Sequence, residues 1–176
     1  MGKLAYSYIN ICGIINITIG IAYPGGSFDA PILIFEKIEL PRVITFALID
    51  FIPLSKRSEY LRKYIEPMRI IKEDFDYILG NKISGSENFR TPYSFSGFFR
   101  RYHKFSVGVA LERYLNLWVN LLGEMSVVNS TECKEEIESR RKDFKKKYPF
   151  SKNSVRILSF FFGKNLVKGF LNKVFF

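Results

Sequence analysis

The chain is predicted to be an α+β protein in which helices cover a central antiparallel sheet. Three observations point there. Its first third is apolar and rich in β-branched residues, broken only by turn residues. After Pro53 the apolar residues recur at intervals of three and four, the helical period. The connections between the early apolar runs are far shorter than the dozen or more residues that a parallel crossover needs. At 176 residues with 47% hydrophobic content, the chain can bury the core of one domain spanning residues 1–176.

The strands are expected at Lys3–Asn10, Ile14–Ala22, Ile32–Ile38 and Arg42–Phe51. Pro24-Gly25-Gly26-Ser27 and Leu40-Pro41 supply turn chemistry between them. Ser55 is a candidate cap for a helix whose apolar positions are Tyr60, Leu61, Tyr64, Ile65 and Met68, with Pro67 placed to kink or divide it. Gly80 is a helix stop, Asn81 to Pro92 reads as a loop, and Tyr93–Gly97 as a further strand. Val107 to Glu124 is an amphipathic helix, and Glu132 to Lys147 a highly charged one that Pro149 ends. Val155–Phe162 and Asn165–Phe175 are apolar and close the domain.

Composition narrows the function classes. The net charge is +10 and the pI near 9.6, which favours an acidic partner or an anionic ligand. From Cys133 onward there are twelve Lys/Arg against four acids, so the basic bias is strongest at the end of the chain. Cys12 and Cys133 form no metal or redox spacing and read as free thiols in a reducing compartment. No apolar run reaches the length of a membrane span, and neither a signal peptide nor a transit peptide is evident. A plastid-encoded or bacterial protein fits that pattern. There is no phosphate-binding glycine loop, and the single histidine, His103, has no nearby His or Cys with which to hold a metal. No nucleophile elbow is visible, and no cysteine set could hold an iron–sulfur cluster, so electrons for any redox chemistry would come from a partner.

Four features could carry chemistry. Glu36 and Asp50 lie inside runs that otherwise read as core, where a carboxylate is costly to bury. A proton donor must be kept protonated near neutral pH, and burial favours the neutral acid. Glu36 is thus either a pocket acid or a strand residue facing solvent. Alternation puts it on one face with Ile32 and Ile34, and puts Leu33, Phe35 and Lys37 on the other. Asp50 is either a second pocket acid or a structural acid that accepts backbone hydrogen bonds at a strand end. Arg100, Arg101 and Lys104 are interleaved with Phe98, Phe99, Tyr102 and Phe105, a pattern that suits a flat anionic ligand, single-stranded nucleic acid or a solvated loop. Lys142, Lys145, Lys146 and Lys147 form a basic helix face, either solvated or able to steer an acidic protein partner.

Several segments, taken in order, resemble the ferredoxin-dependent bilin reductases, which reduce open-chain tetrapyrroles. LAYSY (Leu4–Tyr8) is similar to an early sheet strand of that family, FDAPILIFE (Phe28–Glu36) to its aromatic-Asp-Leu-Pro segment, and LIDFIPL (Leu48–Leu54) to its Leu-Asp-Phe-x-Pro segment. YLRKYIEPM (Tyr60–Met68) resembles its Lys-Tyr-Ile-x-Pro helix, TPYSFSG its Ser-Pro-Tyr strand, and RYLNLWVNLL its Tyr-Leu-x-Leu-Tyr helix. FFGKNLVKGFLNKVFF resembles the closing Phe-Gly segment. The resemblance implies a three-layer α/β/α sandwich with a bilin held between sheet and helices. It implies electrons delivered singly by reduced ferredoxin, with no bound flavin or metal.

Under the same resemblance the pocket Asp of the family falls on Glu36, a neighbouring polar pocket position falls on Ile19, and a second Asp falls near Ser151 and Lys152. Arg100, Arg101 and Lys104 become candidates for the pigment's propionates, Asp50 a candidate pocket residue, and the Lys142–Lys147 face a candidate ferredoxin dock. The expected partners are ferredoxin, biliverdin or 15,16-dihydrobiliverdin, and a sister reductase for hand-over of substrate. Nucleic acid and membrane are not expected as partners, a monomer is the expected state, and a plastid or cyanobacterial-type cytoplasm the expected compartment. A bilin carrier that has lost part of its proton relay is the alternative.

Overall fold

A computed structural model describes residues 2–40, 44–78, 90–147 and 152–165, together with 167 and 169. Four nine-residue strands come first: β1 (Lys3–Ile11), β2 (Ile15–Tyr23), β3 (Ile32–Leu40) and β4 (Ile44–Ile52). Two short helices follow, α1 (Ser58–Tyr64) and α2 (Met68–Asp74). Then come β5 (Phe95–Arg100), α3 (Lys104–Gly123), α4 (Thr131–Lys147) and α5 (Lys152–Phe162). The sheet is an antiparallel meander in the order β1-β2-β3-β4-β5. This is the expected α+β class, and short connections dictate the order, because each strand can only fold back beside its predecessor.

The first hairpin closes through a tight turn in which Cys12 and Gly13 take positive φ, 52° and 70°, and the Ile14 N–H bonds to the Ile11 carbonyl at 2.9 Å. Turns of this hand match the twist of the strands they join. Both cysteines are free thiols.

The two faces of the sheet carry different helices. Leu33, Ile49, Phe51, Phe95 and Phe99 lie on one face, where Phe51 meets Tyr114 of α3 edge-on and Phe95 meets Phe75, just beyond α2. Ile17, Ile19, Ile21, Ile34, Ile38, Phe46 and Leu48 lie on the other and are almost wholly buried. On that second face Tyr23 packs against Phe144 of α4, with ring centroids 6.2 Å apart. Each buried Ile or Phe contributes about 1.5–3 kcal/mol of transfer free energy, so both faces are core. Helices on both sides of one sheet make the three layers.

Several local expectations shift. Tyr93 is not in a strand: Ser94 N–H bonds back to Thr91 O at 3.2 Å, and β5 begins two residues later than predicted because this turn must close first. Ser55 does not cap α1. Its hydroxyl donates to Glu136 on α4 at 3.0 Å and accepts from Arg57 N–H at 3.3 Å, so it braces the approach to a helix that starts three residues further on. Pro67 divides the helical run as predicted, standing between α1 and α2. Helix α3 starts three residues before Val107, at Lys104. The predicted features at Pro41, Arg42, Gly80 and Pro149, and most of Asn165–Phe175, fall outside the described residues.

Candidate functional site

Glu36 is the middle residue of the middle strand. Strand pairing places it in one transverse row, Ser7–Ile19–Glu36–Leu48–Ser96. Directly opposed residues of an antiparallel ladder point to the same face, so Ile19 and Leu48 flank Glu36 on the side where α4 packs. Glu36 is 1% exposed, and Ile19 and Leu48 are fully buried. Of the two alternatives for Glu36, the solvent-facing one is therefore removed.

Asp50 pairs with Ile34 and so shares this face. It is a diagonal neighbour of Glu36, with Cα atoms about 7–8 Å apart in such geometry. Its carboxylate accepts from Thr91 N–H and Phe51 N–H, each at 2.9 Å, and from the Thr91 hydroxyl. Complete burial pushes its pKa up to about 7, against the pull of the Thr91 and Phe51 hydrogen bonds and the nearby Arg90. Asp50 thus anchors the segment that leads into β5. Two residues earlier in the row pattern, the Arg90 guanidinium donates to Ser96 Oγ at 3.3 Å, and Ser96 stands two strands from Glu36, roughly 10 Å away.

The cationic motif before α3 is divided: Arg100 pairs with Ile44 and so falls on the Glu36 face, at its exposed end, whereas Lys104 is drawn to the opposite face. Lys104 pairs with Glu39 at 3.1 Å, and Glu39 lies on the opposite face of β3 together with its other partner, Lys37. Burial works against the Glu39 carboxylate, but Lys104 and Lys37 hold its pKa below the usual range. Arg100 and Arg101 are exposed at the far end of β5, and the rings of Tyr102 and Phe105 face solvent. Ser151 is outside the described residues, and Lys152 opens α5.

Lys142 and Lys146 are exposed on α4, as is Lys145, whose ammonium sits 5.4 Å above the Tyr23 ring. Lys147 ends the helix. The helix is held to the sheet side by Phe144, by Arg140 donating to Pro53 O at 3.3 Å, and by Arg141 donating to Gly25 O and Phe28 O at 3.0 and 3.2 Å. Asp29, from the FDAP segment, ties three elements together. It accepts from Tyr64 of α1 at 2.6 Å and from Ser126 N–H after α3 at 2.8 Å, with Lys63 at 3.8 Å.

Three clefts are described. One of about 410 Å³ lies between α1 and α4 beside Asp29 and Cys133. One of about 660 Å³ is open at the start of α3. The third, about 420 Å³, lies past the end of β4 and is lined by Ile52, Arg90, Thr91 and Arg140 among others. Glu36 lines none of these three; the third is joined to its face through Thr91 on Asp50 and Arg90 on Ser96. Sequence reasoning missed Arg90 and Arg140. Arg90 sits in a polar loop without periodicity, and Arg140 is one charge among many on α4. Among the described residues no group of His, Cys, Asp and Glu could hold a metal ion, and no helix is long and apolar enough to cross a membrane.

Comparison with known proteins agrees with this arrangement. A family model described as ferredoxin-dependent bilin reductase matches residues 1–176. Proteins named 15,16-dihydrobiliverdin:ferredoxin oxidoreductase are similar: that of Nostoc punctiforme is 23% identical over 99% of this chain and 73% of its own length. That of Gloeobacter violaceus is 24% identical with the same coverage, and that of Prochlorococcus marinus strain AS9601 is 27% identical over 89% of this chain and 68% of its own. The crystal structure of tomato phytochromobilin synthase in complex with biliverdin superposes with a TM-score of 0.73 at 20% identity, covering 93% of this chain. The present chain spans 61% of that synthase. With the family's pattern matched along its whole length and the fold shared, the chain belongs to the ferredoxin-dependent bilin reductases.

Proposed function

We propose that this chain reduces a linear tetrapyrrole, biliverdin or 15,16-dihydrobiliverdin, in phycobilin synthesis within a plastid or a cyanobacterial-type cytoplasm. Saturating one double bond takes two electrons and two protons. Reduced ferredoxin supplies the electrons one at a time, Glu36 supplies one proton and water the other. The observation that carries this reading is the buried Glu36 carboxyl at the centre of the sheet, on the face over which α4 packs, with apolar Ile19 and Leu48 beside it. The names of the similar cyanobacterial proteins and the biliverdin in the tomato synthase support the substrate class. The basic α4 face, with Lys142, Lys145 and Lys146, suits an acidic iron–sulfur protein.

A second reading has its own observation. Ile19, directly opposite Glu36, can neither donate nor relay a proton, so a bilin carrier with little turnover also fits the row.

Mixing the protein anaerobically with biliverdin and a ferredoxin reducing system separates the two. Loss of the biliverdin band with growth of a shorter-wavelength product supports the reductase; a stable shifted spectrum supports the carrier. Glu36→Gln is expected to keep the bound-pigment spectrum and lower turnover by roughly 10²–10⁴-fold, the usual contribution of a positioned acid. Unchanged turnover would remove Glu36 from its role.

A further inference from the structure

We propose that two copies of this chain pair through the free edge of β1, in place of the monomer expected from the sequence. The two β1 strands run antiparallel across a two-fold axis at Ser7 and join the two five-stranded sheets into one. This pairing does not depend on the bilin reading above.

β1 stands at the end of the sheet order, and among the described residues no strand lies on its outer side. Its outward N–H and C=O groups therefore have no ladder partner. Natural edges are blunted by proline, by a bulge, by a charge in mid-strand or by being short. β1 has none of these devices. It runs nine residues, KLAYSYINI, without proline and in unbroken one-to-one register with β2, and its single charge, Lys3, is at the end. The opposite edge, β5, is only six residues long and ends on the exposed Arg100.

The strand is complementary to itself. An axis at Ser7 sets Tyr6 against the partner's Tyr8 on one face and Ala5 against the partner's Ile9 on the other, each pair occurring twice. Tyr6 and Tyr8 are 57% and 56% exposed, so rings wait on the open side of the seam. Tyr6 is already braced from behind: its ring centroid is 6.3 Å from that of Phe35, across Gly20 in the same row. Gly20 permits this, because a Cβ there would stand 2.1 Å from the Phe35 ring. Cross-strand ring pairs contribute about 0.2–1 kcal/mol each.

Charge and area both suit a second copy. The chain carries +10, yet the seam is neutral over residues 4–11. Lys3 and the partner's Lys3 fall at opposite ends, roughly 27 Å apart at about 3.4 Å per residue, well beyond the screening length of about 8–10 Å. A seam about 30 Å long and about 10 Å deep, with the open sides of the two rings, covers roughly 500 Å² on each copy. A total of about 1,000 Å² is the lower limit for a specific interface, so the dimer is reversible and concentration-dependent. Two-fold pairing consumes both β1 edges and closes the assembly.

Sedimentation equilibrium across micromolar concentrations tests the pairing, under reducing conditions so that the exposed Cys12 forms no disulfide. A monomer–dimer equilibrium with nothing larger is expected. Amide hydrogen exchange should slow at alternate residues of β1 as the dimer fills, while β5 exchange stays unchanged. Ser7→Lys and Ser7→Asp each set like charges face to face on the axis and should raise the dissociation constant roughly tenfold or more. Mixing the two variants should restore a dimer. A wild-type chain that stays monomeric at every concentration overturns the pairing, and so do open-ended oligomers. A dimer that leaves β1 exchange unslowed, or that survives Ser7→Lys, overturns it too, since the contact then lies elsewhere. Circular dichroism reports whether the variants fold, and the wild-type exchange result decides alone where one does not.

Discussion

Replacing Asp50 with Asn isolates what a fully buried acid does to this fold. The carboxyl titrates near 7 in the folded chain against an ordinary value of 3.8, because burial disfavours the charged form more than Thr91, Phe51 and Arg90 favour it. The folded chain therefore holds a proton that the unfolded chain has released between about pH 4 and pH 7. Its contribution to stability is fully present below the unfolded value and is lost as pH rises through the folded one. A shift of about three units, at 1.36 kcal/mol each, amounts to roughly 4 kcal/mol across the whole window. Between pH 5 and pH 8 about 2–3 kcal/mol of it should disappear. Asn cannot titrate. It also turns an amide N–H₂ toward donors that now face an oxygen, which costs about 1–3 kcal/mol at every pH. Urea unfolding of both proteins at pH 5, 6, 7 and 8 gives the comparison. Other acids and the +10 net charge cancel in the difference between the two curves. The wild-type advantage over Asp50→Asn should shrink by about 2–3 kcal/mol from pH 5 to pH 8. A difference that stays constant over that range would refute the account of Asp50 as an acid driven to neutrality by burial.

Other perturbations test the packing and the partner surface. Phe144→Ala should destabilise by about 3–5 kcal/mol in urea melts, since this buried ring holds α4 against Tyr23. Gly20→Ala would bring a Cβ to 2.1 Å from the Phe35 ring, so it should cost about 1–3 kcal/mol, and adding Phe35→Ala should recover part of that. Exchanging Lys142, Lys145 and Lys146 for Glu should slow ferredoxin association by roughly tenfold or more at low salt, and the wild-type and variant rates should converge as ionic strength rises.

Much of the sheet was legible from one dimension. Period-two alternation put Glu36 on one face with Ile32 and Ile34, and short turns left antiparallel meandering as the only economical path for β1 to β4. The amphipathic spacing of α3 and the break at Pro67 were equally local. Ser55 and Tyr93 misled for the same reason: each has good local chemistry for a helix cap or a strand, and each is claimed instead by a contact or turn that local propensity does not register, Ser55 by Glu136 eighty-one residues away and Tyr93 by the Thr91–Ser94 turn.

The chain's own pattern determined which residues alternate, where helices can form and that two acids sit among apolar neighbours. Only the assembled fold decided which face the helices of the second layer would cover, and with it that Glu36 is buried, that Asp50 is taken up by Thr91, and that Lys104 stands across the sheet from both. Alternation and helical period are set by bonds between neighbours in sequence, whereas the choice of face is set by contacts between residues far apart along the chain, such as Phe144 on Tyr23 and Tyr114 beside Phe51. No local spacing encodes such contacts, because they exist only when apolar surface from distant segments is removed from water together.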